Sequence, residues 1–178
     1  GIKKASGKYV AFLDCDDIWK KDKLKKQILF MQKKNIQLSY TSYEIIDEFG
    51  KKINKFIEAK DLNYENLMRS CDIGLSTVVV EKALISKFKF PNLKTKEDYV
   101  VWLKISKKNI KLKGINKNLC LWRKSSNSLS SSPLQKLFDA FKVYNNFEKK
   151  NIFTSIFLTT RLSLNFLLKY FFTTNHQV

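Results

Sequence analysis

The sequence is short of the residues from which several common kinds of site are built. There is one histidine, His176, and there are three cysteines, Cys15, Cys71 and Cys120, widely spaced and with no C-x-x-C pair. That set argues against a structural zinc site or a disulfide scaffold and for reduced thiols in the cytoplasm. His176 lies three residues from the end and is given no role. Acidic residues are also scarce, 16 against 34 Lys and Arg, which leaves a net charge of +18. No uncharged apolar run reaches the ~18 residues of a membrane span. Gly1-Ile2-Lys3-Lys4 is not followed by the apolar region of a signal peptide. With no initiating Met, the expectation is a chain that begins in mid-domain.

What is present is enough for a core. The 178 residues are 44% apolar, which suits one domain and excludes a disordered tail or a membrane-embedded protein. The basic excess points to a polyanionic partner, whether nucleic acid, an anionic membrane or phosphorylated substrates. Much of it is Lys in short doublets, within a composition also rich in Asn and Ile, so the charge alone does not choose among them.

The stretch that organises the chain is Tyr9-Val10-Ala11-Phe12-Leu13-Asp14-Cys15-Asp16-Asp17-Ile18-Trp19. Its apolar half reads as a buried strand, preceded by Ser6-Gly7. It ends in three carboxylates within four positions. Such a strand delivers carboxylates to the edge of a sheet where open α/β folds bind ligands. Carboxylates so close repel one another unless a cation or hydrogen-bond donors compensate them. Oxygen donors of this kind suit Mg²⁺ or Mn²⁺ held together with substrate phosphates. An acidic turn capping a helix is the plainer reading of the same residues.

Ala5 to Trp19 resembles the centre of a family 2 glycosyltransferase of the GT-A fold, in which an A-F-L-D-x-D-D-x-W element binds the metal and the sugar nucleotide. The resemblance implies an α/β fold. It would be a partial, Rossmann-like GT-A mixed sheet flanked by helices, without the N-terminal half that holds the nucleoside. The expected division is a partial transferase domain over 1–133 and a helical, basic and apolar extension over 134–178.

Further along, Lys20–Lys34 reads as an amphipathic helix with Leu24, Ile28 and Met31 on its inner face, ended by Asn35. Leu38–Tyr43 has strand periodicity, Glu48–Lys51 a turn, and Ile53–Ile57 a second strand. Asn63–Met68 reads as a short helix and Thr77–Val80 as a buried strand. The small residues Gly74 and Ser76 before it either form a tight turn or allow acceptor-side contacts. Thr95 reads as the cap of a helix with Glu97 and Asp98 in its first turn. The stretch E-D-x-x-x-W-L also resembles the family's second signature, in the usual order after the first. Lys111–Cys120 reads as a strand bent at Gly114. Leu121-Trp122-Arg123 and the serine-rich run to Pro133 resemble the segment that closes over the diphosphate, or else form a linker. Beyond Leu134 the pattern is helical, with Leu137, Phe138, Phe141 and Tyr144 on one face. The stretch 152–172 is the most apolar, and it reads as an interfacial helix on a membrane or as a face packed on another chain.

Carried over residue by residue, the resemblance implies Asp16 as direct metal ligand, with Asp14 on the metal or the sugar nucleotide. Asp17, grouped with the donor-binding residues, lies behind them or caps a helix. Asp98 is the catalytic base, Glu97 orients it or binds the acceptor, and Arg123 steadies the diphosphate. Trp102 packs beneath Asp98. The cofactors implied are Mn²⁺ or Mg²⁺ and a nucleotide-sugar donor, with UDP-sugar favoured. The acceptor would be a saccharide or a lipid-linked glycan in bacterial surface polysaccharide or lipooligosaccharide synthesis. The location would be cytoplasmic, with peripheral inner-membrane contact through 152–172. Two rivals stand beside this. One is a non-catalytic remnant or partner of a complete transferase. The other is a basic nucleic-acid-binding module, which would want basic residues and exposed aromatics on one face; no nucleic-acid signature is present.

Overall fold

The computed structural model of the protein describes residues 1–125 and 132–172. Ser126–Ser131 of the serine-rich run and His176 therefore lie outside the described residues. In chain order the elements begin with β1 (Tyr9–Ala11), β2 (Ile18–Trp19), α1 (Lys23–Lys34) and β3 (Leu38–Ile46). They continue with β4 (Lys52–Ile57), α2 (Tyr64–Arg69), β5 (Val79–Glu81) and α3 (Lys82–Ile85). The last are α4 (Glu97–Ser106), β6 (Lys113–Arg123), α5 (Pro133–Lys142) and α6 (Ile152–Phe172).

One mixed sheet runs in the order β1-β5-β3-β6-β2, with β4 hydrogen-bonded to β3 off that path. Its centre is the pair β3–β6, the two longest strands, which run parallel from Ser39 beside Lys113 to Ile46 beside Arg123. The register slips twice between Thr41 and Tyr43, so β6 carries extra residues there and bends. At the start of β6 only glycine fits. A Cβ on Gly114 would lie 2.6 Å from the Lys60 backbone nitrogen and 2.8 Å from the Ala59 carbonyl carbon. The β3–β4 turn is closed by Gly50 at φ 87° and by the Asp47 carboxylate, which accepts from the Phe49 and Lys51 N–H groups.

The core lies between the sheet and α4. That helix buries Tyr99, Val100, Val101, Trp102, Leu103 and Ile105; a helix apolar on nearly all sides has to be interior. Its tyrosine is satisfied there, donating to the Leu67 carbonyl at 2.6 Å and lying 3.1 Å from the Tyr144 hydroxyl. Ala140, Val143, Tyr144 and Leu162 from the C-terminal helices join the same core cluster.

Several local expectations shift. The first strand covers only Tyr9–Ala11, lies at the end of the strand order, and buries Val10 while leaving Leu13 exposed. The strand expected at Thr77–Val80 starts at Val79, because Leu75–Thr77 is a 3₁₀ turn. The inner face of α1 is Lys23, Gln27 and Met31, and Leu24 is exposed. The reason is polar: Gln27 Nε2 donates to the carbonyls of Ser39 (3.0 Å) and Thr77 (2.9 Å) beneath the helix. Thr95 is not the cap of α4. Lys96, in the left-handed region at φ 67°, occupies the cap position without a side-chain hydrogen bond. Thr95 instead donates both its N–H and its hydroxyl to Asp139 Oδ2, each at 2.9 Å. That bond turns α5 so that Asp139, Ala140 and Val143 are buried with Tyr144, and Leu137 and Phe138 face water.

Candidate active site

The acidic turn is built by the end of β1. The chain reverses between Asp14 and Asp17, where Asp17 N–H donates to the Asp14 carbonyl at 3.1 Å. The turn is held from below by the 3₁₀ turn. Asp14 N–H donates to the Ser76 hydroxyl (3.0 Å), and the Trp19 indole N–H donates to the Ser76 carbonyl (2.6 Å). Ser76 is buried. Its part is thus to seat the acidic turn, a role that its smallness hinted at and that only its partners reveal.

The three aspartates differ. Asp14 and Cys15 are exposed, Asp16 is partly exposed and Asp17 is buried. Partial withdrawal from water and the neighbouring Asp16 charge raise the pKa of Asp14 above the ordinary carboxylate value, against a lowering contribution from Ser76. Burial pushes Asp17 up to about 6, with the Ser76 hydroxyl and Arg123 N–H opposing and Asp14 and Asp16 adding to it. Asp17 Oδ1 accepts from Arg123 N–H at 2.8 Å, while its buried Oδ2 has no hydrogen-bond partner among the described residues. Asp17 is therefore directed into the protein and Asp14 and Asp16 toward the surface.

Arg123 joins this turn to the β3–β4 hairpin. Its Nε donates to the Asp16 carbonyl (2.8 Å), and its Nη1 donates to the carbonyls of Asp47 (3.1 Å) and Glu48 (2.8 Å). The guanidinium expected to meet a diphosphate is thus spent, through these donors, on three backbone oxygens.

The second acidic pair, Glu97 and Asp98, opens α4. Asp98 Oδ1 accepts from the Tyr99 N–H at 2.7 Å. Burial raises the Asp98 pKa, its Tyr99 hydrogen bond and Lys96 lower it, and the Asp14 charge raises it again. Glu97 is raised by burial first, and by Asp98 and Asp14 among its neighbours. The two signatures, more than eighty positions apart in sequence, thus lie within electrostatic reach of each other. An aromatic cluster makes the connection. Phe12, two residues before Asp14, packs on Phe90 (centroids 5.9 Å) and edge-on to Trp102 (6.3 Å), four residues after Asp98. Trp102 is fully buried and its indole N–H has no partner among the described residues.

Behind the turn sits a residue that sequence reasoning passed over. Lys23 is fully buried. Its ammonium lies 4.4 Å from the centroid of the Trp19 ring and donates to Gln27 Oε1 at 2.9 Å. Burial lowers its pKa to about 8. Periodicity could not have found it, since a Lys at that position reads as solvated.

Among the described residues no group of three His, Cys, Asp or Glu side chains converges to hold a metal by itself. The donors at the surface, Asp14 and Asp16, nonetheless fit a hard cation that takes one or two carboxylates and completes its shell with phosphate oxygens and water.

A mixed sheet whose strand β1 ends in an acidic turn beside the start of a buried helix is the architecture of GT-A glycosyltransferases. Among solved structures, S. aureus TarS 1-349 in complex with UDP-GlcNAc superposes with a TM-score of 0.57 at 19% identity, over 97% of this chain and 51% of that one. That likeness establishes the fold. The chain belongs to glycosyl transferase family 2, whose description matches residues 1–93. The E. coli protein named UDP-Glc:alpha-D-GlcNAc-diphosphoundecaprenol beta-1,3-glucosyltransferase WfgD is 40% identical over 148 residues, 82% of this chain and 57% of that protein. A Bacillus subtilis glycosyltransferase named for teichuronic acid biosynthesis, TuaG, is 36% identical over 149 residues, 83% of this chain and 59% of that protein. The chain thus spans somewhat over half the length of these relatives.

Proposed function

We propose that this chain is the metal- and acceptor-binding portion of an inverting family 2 glycosyltransferase. It would act in bacterial surface polysaccharide synthesis, taking a nucleotide sugar, with UDP-sugar favoured, and a saccharide or lipid-linked acceptor at the cytoplasmic face of the inner membrane. The observation that carries the reading is the packing of Phe12, two residues before Asp14, against Phe90 and Trp102, which brings the two acidic signatures to one side of the core.

In this reading Asp16 and Asp14 would hold Mn²⁺ or Mg²⁺, which would supply positive charge to offset that of a diphosphate leaving group. Asp98 accepts the proton of the attacking acceptor hydroxyl. Its raised pKa makes it a better base than an ordinary exposed carboxylate, as general-base catalysis near neutral pH requires. Glu97 orients the acceptor. Asp17 acts from behind, through its bond to the Arg123 N–H, and Arg123 fixes the acidic turn against the hairpin on the donor side. The names of the relatives favour a lipid-linked acceptor; a family 2 fold by itself does not choose one.

The test is a thermal melt of the chain with and without Mn²⁺ plus UDP, beside Asp16→Asn. A transition raised by the pair in the parent and not in the variant is expected, because a ligand that binds only the folded state stabilises it by mass action. A cooperative melt indifferent to both additions would overturn the proposal and favour a non-catalytic module. Sugar transfer by the 178 residues alone is expected to be weak or absent, because they span little more than half the length of these relatives.

A further inference from the structure

Helix α6 carries apolar side chains on both sides. Its inward face mixes small polar and apolar residues: Ser155 and Thr159 are buried with Leu162, Leu158 packs against the core, and Asn165 donates to the Arg69 carbonyl of α2 at 2.8 Å. Its outward face is apolar. Phe153 is 85% exposed, Phe157 62% and Ile152 60%, and Ile156, Leu164, Leu167 and Leu168 follow on. A helix on the surface of a water-soluble domain turns a polar face outward, and an exposed apolar strip of this length marks an interaction surface. Helix α5, packed against α6, exposes Leu134 and Phe138 as well.

Charge decides what covers the strip. Residues 149–172 contain Lys149, Lys150, Arg161 and Lys169 and not one acidic residue. The nearest acid in sequence, Glu148, is buried and ion-paired to Lys107 at 2.6 Å, and Glu65 of α2 lies on the inward side of the helix, in a pocket shared with Thr154, Leu158 and Arg161. A second copy of this chain, also strongly basic, would set like charges against like. A protein surface would have to be both apolar and acidic. An anionic bilayer supplies both properties at once, with acyl chains for the phenylalanines and headgroups for the lysines.

No helix among the described residues is long and apolar enough to cross a membrane, and α6 could not leave the protein without losing its inward contacts. From Ile152 to Leu168 the strip is about 25 Å long at ~1.5 Å per residue. We propose that α6 lies flat in the headgroup boundary of an anionic membrane, held to the domain by its inward face and inserted by Phe153, Ile156 and Phe157. This stands beside the transferase reading and does not rest on it, since it uses neither donor nor carboxylates.

The experiment is flotation of the full chain with vesicles of phosphatidylcholine, with and without phosphatidylglycerol, beside the double variant Phe153→Gln/Phe157→Gln. The parent is expected to float with the phosphatidylglycerol vesicles and to be released by salt. The double variant should bind at least about tenfold more weakly, and its melt should be unchanged, because both rings face water in the free chain. An Asp16→Asn chain should float like the parent, which separates this test from that of the acidic site. Three results would overturn the proposal: no flotation at low salt, equal binding to neutral and anionic vesicles, or a stable dimer in sedimentation that the double variant dissolves.

Discussion

Lys23 offers a sharp test of how the acidic turn is supported. The ammonium is fully buried, with Gln27 Oε1 and the Trp19 ring as its company. Burial takes its pKa from 10.5 to about 8. That drop of about 2.5 pH units corresponds to about 3 kcal/mol at ~1.36 per unit. The sign follows from proton counting. Between about pH 8 and 10.5 the unfolded chain holds a proton that the folded chain has released, so stability rises with pH across that window. Below pH 8 both states are charged and the cost of burying the ammonium is borne in full.

In Lys23→Met that titration is gone. At pH 7 the variant is relieved of a buried charge. It loses about 1–2 kcal/mol of cation–π attraction and leaves Gln27 Oε1 unpaired at about 1–2 kcal/mol. The two should therefore agree within about 1 kcal/mol at pH 7. At pH 10 the parent should be ahead by about 2 kcal/mol more than at pH 7. Urea denaturation followed by circular dichroism at the two pH values measures this difference of differences, in which other titrating lysines cancel. Parallel pH profiles for the two proteins would refute the reasoning and show Lys23 to be solvated.

Arg123→Lys should cost about 1–3 kcal/mol in urea denaturation, because one ammonium cannot span the carbonyls of Asp16, Asp47 and Glu48 that the guanidinium reaches; an unchanged midpoint would mean the clamp is idle. Gly114→Ala places a methyl group 2.6 Å from the Lys60 backbone and should destabilise by about 1–3 kcal/mol, by the rule for overpacking, with a lowered melting temperature as the readout. In a longer protein that carries this segment, Asp98→Asn should lower kcat by about 10²–10⁴-fold with little change in donor binding, as expected for loss of a general base. A matching loss of donor affinity would place Asp98 on the donor instead.

The sequence by itself determined the class of this protein. The apolar run ending at Asp14-Cys15-Asp16-Asp17 and the pair Glu97-Asp98 ahead of Trp102 are local patterns, and local patterns survive whatever the rest of the chain does. The helices at 23–34, 64–69 and 97–106 and the strand from Leu38 were legible for the same reason, since periodicity reports which side of an element is apolar. What periodicity cannot report is a polar group needed inside. Gln27 is buried because two carbonyls from distant segments, Ser39 and Thr77, lie under α1, and Lys23 turns inward with it. Asp139 is buried because Thr95 needs an acceptor 44 positions away, and α5 rotates to supply it. Arg123 reads from sequence as a residue that steadies a diphosphate, yet the parallel run of β3 beside β6 brings its guanidinium to the hairpin and the acidic turn. In each case hydrogen-bond demand between segments far apart in sequence overrode the hydrophobic pattern within one segment. The tertiary structure alone also decided that the two acidic signatures meet, by packing Phe12 against Trp102, and that the apolar face of the last helix looks outward.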